Sequence, residues 1–272
     1  MAITKAEKAA YNDYIAEFKR DIDESLKKIK DAEQKIKKMP RIAPYKKLEM
    51  VLEYLKIIML YVSMNDASVE MLQIKKESSL NEGRKNFYKI LQLMEELVGT
   101  DVDRTLSEND DYLIQIEKVN PLQILRLLER INHVYSTLMD RMGEGSKWKW
   151  SFVDIKGRIA VVTKNIISFS DTQRLRDPRS EYYVERRELM SLCKASLKDA
   201  AQQFRSKYEQ STKATSDLLN SIELLSALRK IHVLFGETED AKKIKNTIDA
   251  LRQRVEEDEK QKEKDAGKGK KK

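Results

Sequence analysis

The chain has 272 residues, of which 36% are charged and 40% hydrophobic, with a formal net charge of +8. The charge is concentrated: residues 260–272 hold seven lysines against Glu263 and Asp265, a net +5, which leaves only +3 for the preceding 259 residues. Bulk charge therefore does not mark the body as a nucleic-acid-binding domain, a single cysteine excludes an intramolecular disulfide, and recurrent apolar periodicity excludes a wholly disordered chain.

Only four prolines (Pro40, Pro44, Pro121 and Pro178) and eight glycines interrupt the chain, which predicts long, uninterrupted helices. The first is expected over residues 4–39. Ile15, Ile22, Ile29 and Ile36 repeat every seven residues, with Tyr11, Phe18 and Ala32 between them and Ser25 breaking the row. A strict heptad keeps one seam facing a partner helix, as in a coiled coil. Pro40 and Pro44 end this element. After Pro44, Leu48, Val51, Leu52, Leu55, Ile58, Met59 and Val62 form one face, and Tyr54, Ile57, Leu60 and Tyr61 extend it, so this helix should be central. A third helical stretch, about residues 67–99, carries Phe87, Ile90, Leu91, Met94 and Leu97, with a break expected near residues 81–83 and Gly99 as C-cap.

Residues 100–111 read as a loop. Asn120 then caps and Pro121 opens a helix whose seam is Ile124, Leu128, Ile131, Tyr135, Leu138 and Met142, closed by Gly143 and Gly145. Residues 147–169 are ambiguous: the β-branched run at 159–163 favours strand, but Trp148, Phe152, Ile155, Ile159, Val162, Ile166 and Phe169 keep four-three spacing for longer than strands last. Helix is the reading. Past a loop at 171–179, helices carry Leu189, Cys193, Leu197, Ala200 and Phe204, then Leu224, Leu228, Ile231 and Phe235, then Ile244, Ile248, Leu251 and Val255. From about residue 256 the composition predicts disorder. Leu228, Ile231, Gly236-Glu237, Asp240-Ala241, Ile244 and Ile248 resemble a tetratricopeptide helix pair. The match covers roughly 25 residues, lacks the later proline and has no second copy at the period of about 34, so it implies one helical hairpin.

Candidate chemistry is sparse. His133 and His232 are the only histidines. Di-iron bundles need Glu-x-x-His, but Arg130 and Arg229 stand three residues before them. With Cys193 they fit no recognised zinc spacing, and Cys193 reads as a small core residue. Gly143 to Lys147 lacks phosphate-loop spacing. Asp101, Asp103, Asp110 and Asp111 lack the Gly and closing Glu of a calcium loop. Of Trp148 and Trp150, one should be core and the other an exposed anchor.

The expected fold is all-α: long antiparallel helices in a bundle or helical-hairpin array, with coiled-coil-like N- and C-terminal helices. Its parts would be an N-terminal helix at 1–39, a body at 44–255 and a Lys-rich tail at 256–272. The expected function is a non-enzymatic scaffold or adaptor without cofactor or metal, binding a protein partner or a second copy of itself through Ile15, Phe18, Ile22, Ile29 and Ile36. The alternative is an accessory protein holding nucleic acid or an anionic surface through Lys268, Lys270, Lys271 and Lys272. Five phosphate pairs would give a log–log salt slope of about −4.5. Charges fill the place of a signal-peptide core, and the most apolar stretch, residues 51–62, contains Glu53 and Lys56 and falls short of the roughly 20 residues a bilayer span needs. These features, with the lone cysteine, give a cytoplasmic expectation.

Overall fold

The computed structural model describes residues 4–143 and 145–269. Among them the fold is all-α, with helices packed on one another and no strand. No helix is long and apolar enough to cross a membrane among the described residues. The chain forms two compact units, Met1–Gly99 with Tyr112–Ile155, and Thr100–Asp111 with Lys156–Lys272. The division expected after residue 39 is thus a break between helices, not between units.

In the first unit, Thr4 and Glu7 form a capping box that starts α1 (Lys5–Tyr14). Ile15, at φ −82° and ψ −2°, separates α1 from α2 (Ala16–Lys38), so the single helix expected at 4–39 is two. Pro40 opens a 3₁₀ turn, and α3 (Ala43–Leu72) runs back antiparallel to α2. The register follows from Tyr11, whose hydroxyl donates to the Met64 carbonyl at 3.1 Å, and from Asp21, 3.4 Å from Lys56. As its all-round apolar sequence implied, α3 is central, packing against α2, α4 and α6. Gln73 closes it in the left-handed region, φ 55°. The next break therefore falls at residues 73–76, and not at 81–83; α4 (Glu77–Val98) runs through Gly83. A Cβ on Gly83 would lie 3.1 Å from Leu138 and 3.5 Å from Ile58, so glycine sets the close approach of α4 to its neighbours.

Short turns at α5 (Asn109–Leu113) and Ile114–Ile116 lead to α6 (Pro121–Met142), which begins with an Asn120–Gln123 capping box. Its expected seam is buried at Leu128, Ile131, Tyr135, Leu138 and Met142. The Tyr135 ring meets Phe87 and Phe152 edge-on, at 6.1 and 5.9 Å, and its hydroxyl donates to the Phe152 carbonyl at 3.2 Å. The ambiguous segment is helix, α7 (Lys149–Asn165), with Phe152, Ile155, Ile159 and Val162 buried. Spacing outweighs the β-branched run because burial of a whole stripe exceeds the few tenths of a kcal/mol that separate residue propensities.

The second unit contains α8 (Phe169–Arg174), α9 (Tyr183–Lys207), a π-turn at Tyr208–Thr212, α10 (Thr215–Leu234) and α11 (Thr238–Gly269). The residues of α7 from Lys156 onward meet α9 at Gly157, where a Cβ would sit 2.6 Å from the Phe204 ring. Successive hairpins join α9 to α10 and α10 to α11, the second turning at Gly236, φ 75°. Ala241, Ile248, Leu251 and Val255 are buried, so the C-terminal stripe is used within the unit. Disorder was expected from residue 256, but α11 continues to Gly269. Glu, Lys and Gln favour helix without an apolar face, and Asp258 ties the segment down by pairing with the Tyr208 hydroxyl and with Arg254 at 3.3 Å.

Candidate functional site

On α3, Leu52, Leu55, Lys56 and Met59 lie at helical steps along one stripe. On α6, Arg126, Glu129, Arg130, His133 and Val134 form a second, and the two stripes line a groove of about 510 Å³. Because α6 turns Leu128, Ile131 and Tyr135 into the core, its positions 126, 130 and 133 face outward. Leu55 and Val134 are buried in the floor, while Leu52 keeps 40% of its surface exposed. Arg126, Glu129, Arg130 and His133 are exposed at the lip. Lys56 already has Asp21 at 3.4 Å. Arg126 and Arg130 have no ion pair or side-chain hydrogen bond among the described residues. The groove is an apolar floor under a lip that carries Arg126 and Arg130, with Glu129 as the acidic group of the lining.

The residues singled out in the sequence fall elsewhere. Ile15, Ile22 and Ile29 are buried and Phe18 and Ile36 half-buried, all on the α1 and α2 faces that pack on α3. Within the chain the seam is buried at Ile15, Ile22 and Ile29 and keeps part of its surface exposed at Phe18 and Ile36. Lys268 lies on α11, and Lys270, Lys271 and Lys272 lie outside the described residues. Trp148 and Trp150 are both half-buried, so neither is the core residue nor the exposed anchor expected. Trp148 instead carries the Arg84 guanidinium 3.9 Å above its ring. Gly143 and residues 145–147 lie between α6 and α7, with the Ser146 amide donating to the Gly143 carbonyl at 3.1 Å.

Sequence reasoning passed over two clusters in the second unit. Lys164 is fully buried at the end of α7, donating to the Val102 carbonyl at 2.7 Å and to those of Asp101 and Arg104 at 3.5 Å. The Asn109 side-chain amide donates to the Lys164 and Ile167 carbonyls at 2.9 and 3.0 Å, and Asn165 to Asp101 at 3.2 Å. Burial, reinforced by the positive charge of Arg104, lowers the Lys164 ammonium to about 8. Burial likewise pushes the Cys193 thiol up to about 12, which leaves it protonated and unreactive. The donors and acceptors of this cluster tie residues 101–109 to the end of α7. Spacing gives no sign of it, since a lone Lys on an apolar stripe reads as a solvated flank.

The other cluster is His232, Glu237 and Asp240, whose ligand atoms all lie within 4.8 Å of one another at the α10–α11 turn. Among the described residues, this group could hold a metal ion. Lys194 Nζ, however, lies 2.6 Å from both Glu237 oxygens, so an ammonium already supplies the positive charge there. Burial works to raise the Glu237 carboxyl, but Lys194 and the His232 ring outweigh it and hold it below the usual carboxylate range. The cluster is an ion-paired clasp on the hairpin.

A model of the family described as the TP0443 family matches residues 7–259, and the chain belongs to that family. No curated protein and no solved structure matches it.

Proposed function

We propose that this member of the TP0443 family is a non-enzymatic helical scaffold or adaptor that captures a protein partner in the groove between α3 and α6. The observation carrying this reading is the partly exposed stripe of Leu52 and Met59 beside unpaired Arg126 and Arg130. Arginine and large apolar side chains around a concave floor are the composition of interface hot spots. Two helices supply the walls, so the floor is rigid before any partner arrives, which lowers the ordering cost of association. The Ile seam of α2, occupied by α3, is set aside as the capturing surface.

The test is site-specific photo-crosslinking in the native cell. Met59→p-benzoylphenylalanine should give discrete protein adducts after illumination, whereas the same residue in place of Gln253, exposed on α11, should not. Equal labelling at both positions, or none at Met59, would refute capture in the groove.

A further inference from the structure

We infer that the groove selects an acidic amphipathic helix, whose apolar stripe lies on Leu52, Leu55, Met59 and Val134 while its flanking carboxylates meet Arg126 and Arg130. This inference rests on the adaptor reading above and names the chemistry of the partner. Length comes first. Residues 52–59 rise about 10 Å along α3, which matches two turns of a docked helix and its i, i+3/i+4, i+7 anchors. Sign comes second. The lining holds Lys56, Arg126 and Arg130 against Glu129 alone, and of the three cations only Lys56 has a carboxylate of its own, on Asp21. Arg126 and Arg130 stand one turn apart on α6, so their guanidinium forks reach one side of a helix lying along the groove. A planar guanidinium accepts a carboxylate with two parallel hydrogen bonds, which fixes the partner's register as well as its charge. A basic helix would set its cations against the same two groups and gain nothing from them.

The experiment uses the full chain and two fluorescent, hydrocarbon-stapled 14-residue helices with the same Leu stripe, one flanked by Glu and the other by Lys, read by fluorescence polarisation. The Glu helix should bind roughly tenfold more tightly than the Lys helix near 50 mM salt, with the gap closing as salt rises. Arg126→Glu with Arg130→Glu, both at exposed positions, should reverse the order while leaving the circular dichroism spectrum unchanged. Leu52→Asp should abolish binding of both helices, which places them in the groove. Equal affinities, a preference for Lys, or no binding of either helix would overturn acidic selection, and the crosslinking result at Met59 would then stand or fall separately. A dimer in sedimentation that dissociates on Arg126→Glu would instead assign the groove to a second copy of the chain and overturn the inference.

Discussion

Replacing Lys164 by Met keeps most of the buried stem and removes the ammonium, so it isolates the charge at the centre of the second unit. An amine held at about 8 instead of 10.5 is biased against its charged form by about 3 kcal/mol. That cost acts in full below pH 8, where folded and unfolded chains both hold the proton. Between pH 8 and 10.5 the folded chain releases it while the unfolded chain still binds it, so the wild type gains stability relative to Lys164→Met at up to about 1.4 kcal/mol per pH unit. From pH 7.5 to 9.5 the gain should reach about 2 kcal/mol. Near neutral pH, leaving the Val102 carbonyl without its donor costs the variant about 1–3 kcal/mol, which offsets part of the relief from removing a buried charge. The slope is therefore the discriminating quantity. Urea unfolding of both proteins at pH 7.5, 8.5 and 9.5, followed by circular dichroism, measures it. Tyr11, Tyr54 and Tyr61, raised by burial in the first unit, are common to both chains and cancel. A stability difference that stays constant across this range would refute the buried, depressed ammonium.

Three further outcomes test the packing. Ile22, 5% exposed on the face that meets α3, should cost about 2–4 kcal/mol as Ile22→Ala, with no change of mass in sedimentation; a change of oligomeric state would return the Ile seam to an external role. Gly157→Ala gains up to about 1 kcal/mol of helix propensity but drives a methyl to 2.6 Å from Phe204, so overpacking of about 1–3 kcal/mol should win; in a double-mutant cycle, Phe204→Leu should recover most of the loss, and additivity would contradict the contact. The Cys193 thiol should resist a disulfide reagent at pH 8 in the folded protein and react once in urea, and rapid native labelling would contradict its burial.

Helices were legible in this sequence wherever an apolar stripe set the period. The α6 seam, its Asn120-Pro121 start, and the α7 segment all follow from spacing, because a buried stripe must recur every three to four residues. The partner of each stripe was not legible. The heptad of Ile15, Ile22 and Ile29 specifies a neighbouring helix but carries no information on which one; α3, apolar on every side, is the surface that takes it. Breaks placed by Gly alone also misled. Gly83 supplies room for Leu138 inside a continuous helix, whereas the break at Gln73 uses a left-handed residue that is not glycine at all. The candidate groove lay outside the reach of pattern reading, since Arg126 and Arg130 look like any solvated face until α3 is placed beside them. Over residues 256–269, low complexity and helix propensity coincide in Glu, Lys and Gln, so composition alone does not separate a tail from the helix α11 that runs through them.

The second unit takes Thr100–Asp111 from a point where the first is still incomplete, so no single cut releases it whole. A fragment beginning at Lys156 would retain Lys164 but forfeit the Val102 carbonyl and the Asn109 amide that hold it. On the ribosome, Asn109 emerges 55 positions ahead of the helix end it will grip, and it waits through the synthesis of α6 for its counterpart. Anyone grafting or dissecting the C-terminal helices must carry that early dodecapeptide with them.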